Sequence, residues 1–159
     1  MAIIIRRVVE QDYEVYCGLF YEINELHRLA LPDIFQHPVG RIIEKEYFLN
    51  LLEDENVAIF FAENEGQTAG FVYVLIRETP SNPLLVPRRY GVLDTLVVHP
   101  AYQRMGVGRT LMHQAEEWAA SLGVREIELN VYEFNRGAQA FYHRLGYAAF
   151  SHKMGKKIA

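Results

Sequence analysis

Strands that alternate with helices through the second half of the chain predict an α/β fold with a mixed central sheet, parallel wherever a helix crosses between two strands. Three observations carry this reading. The run Val92-Leu93-Asp94-Thr95-Leu96-Val97-Val98 has strand composition and is ended by His99-Pro100. From Val107 the apolar positions fall at Val107, Leu111, Ala115, Trp118, Ala119 and Leu122, the spacing of one helix face, with Gly123 as the stop. Between Arg125 and Val131, Ile127, Leu129 and Val131 alternate with Glu126, Glu128 and Asn130, as in a half-buried strand.

The other elements follow in order. Ile3 to Val8 reads as a first strand. Gln11 to about Ala30 is predicted helical, with Tyr13, Tyr16, Cys17, Phe20, Ile23 and His27 at three- and four-residue spacing, and Leu31-Pro32 ends it. Arg41 to Leu52 reads as a second helix, set off by His37-Pro38 and Gly40. Val57 to Glu63 and Ala69 to Arg77 read as strands joined by a tight turn at Asn64-Glu65-Gly66-Gln67. A loop rich in proline and arginine runs from Glu78 to Tyr90. After the strand at Arg125 to Val131 comes a short helix through Ala138, Phe141 and Leu145, and then a final pair of strands. The order is βααβββαβαββ, in one domain spanning residues 1–159.

Half of the 159 residues are hydrophobic, enough for one core of this size. No apolar run approaches a membrane span, and Met1 to Arg7 reads as a short strand, because its apolar part is too brief for a signal peptide and precedes the charges. Cys17 is the single cysteine, which rules out an internal disulfide and suits a cytoplasmic protein. The six histidines show no ligand spacing with Cys, Asp or Glu on one element, so no metal site is expected. The net charge of −4 is uneven: 11 acidic and 5 basic residues up to Glu55, then 9 acidic and 11 basic. There is no basic stripe fit for nucleic acid. A slightly basic second part suits an anionic ligand, and an acidic first third suits a cationic one. Solvation of helix faces by Glu10, Asp12, Glu14, Glu44, Glu46 and Glu53 also explains that acidity.

The junction between the predicted strand and the long helix is Gln103-Arg104-Met105-Gly106-Val107-Gly108. A glycine-containing loop opening a helix presents unpaired N–H groups at the positive end of the helix dipole, a ready phosphate or pyrophosphate site. Gly106 and Gly108 leave no side chain in the way, and Arg109 adds charge. A P-loop would need Gly-Lys-Ser/Thr where the chain has Gly108-Arg109-Thr110, and a dinucleotide fingerprint needs a third glycine that Met112 and His113 do not supply. The hexapeptide matches Q/R-x-x-G-x-G/A, and the stretch Asn135 to Tyr147 matches N-x-x-A-x-x-x-Y-x-x-x-G-F/Y. With both motifs in order, the chain resembles the GCN5-related N-acetyltransferase (GNAT) family. Met154-Gly155-Lys156-Lys157-Ile158 is similar to the family's closing M-x-K-x-L strand, with Gly155 in place of the usual acidic residue.

The resemblance implies the acyl-CoA N-acyltransferase fold, with acetyl-CoA as cosubstrate and an amine as acceptor. Homodimers are common in the family. Carried over by position, the cofactor would be held by Gln103, Arg104, Met105, Gly106, Val107, Gly108 and Arg109 at the pyrophosphate. Leu96, Val97 and Val98 would lie along the pantetheine arm, the Val98 N–H would face the thioester oxygen, and Asn135 would touch a pantetheine amide. Helix capping alone also explains an Asn at 135. Tyr142 would act as general acid toward the departing thiolate. Asp94, placed by strand parity on the face of Leu96 and Val98, resembles the position of a glutamate that helps deprotonate the acceptor in spermidine/spermine-type members. Glu128, Glu22 and Glu25 are rival bases, and a structural role remains open for each. A small cationic amine, a protein N-terminus or a lysine are the acceptors implied. A non-catalytic acyl-CoA-binding or sensing module is the reading from another class; it would lack the tyrosine or the loop glycines, and both are present.

Overall fold

The computed structural model describes residues 2–159; Met1, the first residue of the expected domain, lies outside the described residues. Five strands form one sheet in sequence order: β1 (Ile3–Arg7), β2 (Val57–Asn64), β3 (Gln67–Glu78), β4 (Arg89–Val98) and β5 (Ile127–Leu129). The first four are antiparallel neighbours, and β5 runs parallel to β4. Helices α1 (Tyr13–Ala30) and α2 (Lys45–Glu53) precede β2, α3 (Val107–Ser121) crosses from β4 to β5, and α4 (Arg136–Arg144) follows β5. The mixed sheet expected from the sequence is thus formed, with its one parallel pair where a helix makes the crossover.

Alternation along β2 divides the core into two layers. Val57, Ile59 and Phe61 meet Tyr13, Tyr16 and Leu19 of α1 and Phe48 and Leu51 of α2. On the other face Ala58, Phe60 and Ala62 meet Val107, Leu111, Met112 and Ala115 of α3. Covered on both sides, β2 is apolar without a break from Val57 to Ala62, as a doubly buried strand should be. The turn to β3 has two residues, Glu65 (φ 50°) and Gly66 (φ 78°), both left-handed, which matches the twist of a tight hairpin.

Several boundaries differ from the expectation. Glu10–Asp12 is a 3-10 turn and α1 proper begins at Tyr13. The second helix begins at Lys45 rather than Arg41, because the Ile43 carbonyl accepts from the buried Tyr13 hydroxyl and the first α2 bond runs from Phe48 N–H to Glu44. β4 takes in Arg89 and Tyr90 from the expected loop, and β5 keeps only the middle of the run Arg125 to Val131. The final pair of strands is absent: residues 148–159 form no regular structure. A strand needs a neighbour for its main-chain groups, and none of the described residues pairs with this segment. Among the described residues no helix is long and apolar enough to cross a membrane.

One irregularity matters for the site. Tyr73 of β3 pairs with Thr95 and Val74 with Leu93, so Asp94 is an extra residue in β4. The parity argument that put Asp94 on the face of Leu96 and Val98 is therefore corrected. Leu93, Leu96 and Val98 all join the α3 layer, whereas Asp94 and Thr95 together oppose Tyr73, a member of the α1 layer.

At the start of the sheet, Arg6 bridges Asp12 (2.7 and 2.8 Å) and Glu63 (2.7 Å), and Asp12 also accepts from Val9 N–H at 2.8 Å. The Arg6 hydrogen bond holds the buried Asp12 carboxyl below its ordinary value, against the opposing effect of burial. A depressed folded-state pKa contributes stability above the unfolded value of about 3.9 and loses it as pH falls through that value toward the folded one. Urea midpoints measured from pH 6 to pH 2 are expected to fall below about pH 4. Asp12→Asn should lower the midpoint at pH 6 and flatten the acid limb.

Candidate functional site

β4 pairs with β5 only from Gly91 to Leu93 and then continues to Val98 with β3 as its sole neighbour. The inserted Asp94 sits where the two strands part, in keeping with the added bend and twist of a bulge. Beyond it, His99 N–H donates to Ala69 of β3 at 2.8 Å. Main-chain groups alternate in direction along a strand, so the N–H groups of Val98 and Leu96 point the other way, into the cleft that β5 has left. Val97 has its side chain in the α1 layer and could meet a ligand only through its backbone.

The cleft leads into the loop before α3. Pro100–Tyr102 is a 3-10 turn capped by His99, whose Nδ1 accepts from Ala101 N–H at 3.1 Å. Gln103 Nε2 donates to the Val98 carbonyl at 3.2 Å, folding the loop back on the strand end. Arg104 (φ 62°) and Gly106 (φ 83°) are both left-handed, the kind of turn that gathers successive N–H groups into an anion-binding concavity. The first N–H groups of α3 have no acceptor within the helix and open toward the same side. Gln103, Arg104, Met105, Gly106 and Arg109 are exposed, while Val107 is buried and anchors the loop. The two glycines differ in purpose. A Cβ on Gly106 would meet nothing within 4 Å, so that position faces open space. A Cβ on Gly108 would stand 3.2 Å from Phe141 and 3.6 Å from Val98, so the absence of a side chain at Gly108 lets α3 close on α4 and β4.

Tyr142 lies on α4 among the residues packed against the α3 layer, as do Leu96 and Val98. Its ring is 5.3 Å from Phe141 and 5.8 Å from Tyr147, and burial pushes its hydroxyl up to about 12. Asn135 caps α4, its side-chain oxygen accepting from Ala138 N–H at 3.1 Å, which leaves its amide hydrogens free. The loop that carries it is pinned to α1 and the turn beyond by an aromatic cluster: His27 lies 5.1 Å from Phe35, 5.5 Å from Tyr132 and 5.6 Å from Phe134.

The carboxylates sort by their partners. Glu128 is held by Arg88 at 2.7 Å, and Glu25 by Arg28 at 2.8 Å with His37 at 3.2 Å, so each is neutralised by a cation. Glu22 lies 3.9 Å from His99. Asp94 is exposed and forms no ion pair among the described residues; its contact is the Thr95 hydroxyl at 2.7 Å. Burial, and then the Asp94 charge, push the Tyr73 hydroxyl up, and Tyr16 rises through burial, Tyr73 and Asp94 in turn. Tyr73 was not singled out from the sequence. Only the hairpin register, read against the bulge, sets it opposite Asp94. No group of three His, Cys, Asp or Glu side chains is placed to hold a metal ion among the described residues.

Comparison with known proteins agrees with this fold. The signature of the Acetyltransferase (GNAT) family matches residues 20–147. An uncharacterized N-acetyltransferase of Methanocaldococcus jannaschii is 31% identical over 64% of this chain, which spans 43% of that protein's length. The uncharacterized N-acetyltransferase YhfO of Bacillus subtilis is 26% identical over 90% of this chain and 88% of its own. A crystallised mutant of the Bacillus halodurans protein BH1408 superposes with a TM-score of 0.92 at 26% identity, covering 98% of this chain and 99% of that one. The aminoglycoside N-acetyltransferase AAC(6')-Iy, crystallised with CoA, shares the fold with a TM-score of 0.72 at 19% identity, covering 98% and 99%. The chain belongs to the acetyltransferase (GNAT) family and is an N-acetyltransferase enzyme.

Proposed function

We propose that the enzyme moves the acetyl group of acetyl-CoA to a primary amine, of small cationic type, by direct attack within a ternary complex. The observation that carries this reading is the length of β4 past Leu93 that β5 leaves unpaired on one side, followed by the left-handed loop opening α3. A pantetheine arm along that edge would gain main-chain hydrogen bonds as an added strand does. The pyrophosphate would rest on N–H groups from Arg104 to Arg109, with the two arginines supplying charge. The Val98 N–H is the donor we assign to the thioester oxygen.

The leaving thiolate, of pKa about 8.5, takes its proton from Tyr142 in this scheme, since a phenol raised to about 12 is protonated at any working pH. The amine poses the larger cost. Bringing a lysine-like amine of pKa ~10.4 to its neutral form at pH 7 costs about 4.6 kcal/mol. Asp94 is the group we assign to accept that proton, through a water, because its carboxylate is not neutralised by a cation as Glu128 and Glu25 are. Tyr73, which β3 sets opposite Asp94, would stand beside the incoming ammonium group.

Three variants test the scheme. Gly106→Asp adds bulk, negative charge and backbone strain at φ 83° beside the pyrophosphate site, and calorimetry should find acetyl-CoA binding abolished in a folded protein; unchanged affinity would remove the loop from the site. Tyr142→Phe keeps the packed ring, so stability and acetyl-CoA affinity should hardly move while turnover falls about 10²- to 10⁴-fold. Wild-type turnover would make the ring structural only. For Asp94→Asn the rate at neutral pH should drop more than tenfold and partly recover as pH rises toward the amine's own pKa, where solution supplies the neutral form. A profile parallel to wild type at every pH, or a best acceptor that is neutral, anionic or a peptide N-terminus, would overturn the assignment of Asp94 and of the acceptor.

A further inference from the structure

The stop of α4 grips the tyrosine assigned above as the acid. Gly146 is left-handed (φ 95°), its N–H donates to the His143 carbonyl at 3.0 Å, and the Tyr147 N–H donates to the Tyr142 carbonyl at 3.0 Å. These are the two bonds of a Schellman stop, in which the residue after the glycine folds back on the residue three before the cap. The side chains at the ends of the longer bond commonly pack together. Here they are Tyr147 and Tyr142, whose rings lie 5.8 Å apart at 67°, an edge-to-face pair.

Tyr147 is held in turn from α3. Its hydroxyl donates to Glu116 Oε1 at 3.0 Å, although the two residues are 31 positions apart in the chain. Burial, and then the Glu116 charge, push the Tyr147 hydroxyl up, so it remains a donor at any working pH. A hydroxyl committed to Glu116 does not compete with Tyr142 for the departing thiolate. The helix that supplies Glu116 begins at Val107, in the loop assigned to the pyrophosphate, so α3 joins the donor loop to the stop of α4.

The oxygen of a tyrosine lies on its ring axis, so χ1 decides where the hydroxyl stands, and a helical residue keeps only two of the three χ1 wells. An acid acts only within hydrogen-bond reach of the atom it protonates. Whatever selects the χ1 well of Tyr142 therefore governs the acid step. We propose that Tyr147 is a positioning residue for that step: latched by the Glu116 carboxylate, its ring keeps Tyr142 in the well that serves the thiolate. The inference rests on the assignment of Tyr142 as the acid and adds two residues that act through it.

Two measurements test it. Three-bond nuclear magnetic resonance couplings from the aromatic Cγ to the backbone nitrogen and carbonyl carbon read χ1 populations and need no acceptor. Tyr142 should hold one well in the wild type and occupy two in Glu116→Ala and in Tyr147→Leu. Glu116→Gln, which keeps an acceptor oxygen for the Tyr147 hydroxyl, should restore the single well. With spermidine as the acceptor probe, Glu116→Ala and Tyr147→Phe should each lower kcat about threefold to tenfold, the range one lost hydrogen bond spans, at unchanged KM for acetyl-CoA. In a Tyr142→Phe background the same changes should have no further effect, because the hydroxyl they position is gone. A single Tyr142 well that survives both Glu116→Ala and Tyr147→Leu, or an equal loss of turnover in the Tyr142→Phe background, would overturn the proposal. Wild-type turnover of Tyr142→Phe would instead overturn the acid assignment, and the couplings would still decide whether Tyr147 holds the ring.

Discussion

Asp94, inserted into β4 opposite Tyr73, is the constraint on which the rest of the site depends. Without the extra residue, β4 would alternate regularly, and Leu93 and Leu96 could not both reach the α3 layer. The insertion also sets the point at which β4 and β5 part. It therefore does two things at once: it frees the N–H groups of Leu96 and Val98, and it turns a carboxylate to the opposite face of the sheet. Tyr142 stands with Leu96 and Val98 on the α3 side, and Asp94 stands with Tyr73 on the α1 side. The proposed acid and base thus stand toward opposite faces of the sheet.

The loop before α3 is ordered by packing rather than by its glycines alone. Val107 and Leu111 are buried, and Gly108 lets the helix approach Phe141 closely enough that α3, α4 and β4 form one body. That rigidity lets Arg104 hold a left-handed conformation, which carries a cost for any residue with a Cβ. The same close packing buries Tyr142 and raises its pKa, so the framework that holds the donor loop also keeps the proposed acid protonated.

Electrostatics distinguishes among carboxylates that look alike in the sequence. Arg88 reaches both Glu126 and Glu128 and fixes the loop before β4 to β5. Arg28 and His37 occupy Glu25 and tie the end of α1 to the segment that follows. Carboxylates engaged in this way serve the scaffold. Asp94 has a hydroxyl, that of Thr95, as its hydrogen-bond partner and no ion pair among the described residues.

The sequence by itself determined the layers, the long crossover helix, the hairpin turn and the loop that opens α3. These depend on local periodicity, turn chemistry and short motifs, all carried by neighbouring residues. Tertiary structure decided what depends on distant partners. The bulge emerged only from the pairing of β3 with β4, and it moved Asp94 to the face opposite the one its parity implied. The close approach of Phe141 to Gly108 came from another helix and could not be read from the motif. Glu128 and Glu25 stayed candidate bases until the arginines beside them were placed. The closing segment has the alternation of a strand and still forms none within one chain. Alternation records which face a strand would bury, while pairing needs a neighbour, and no local pattern of residues supplies one.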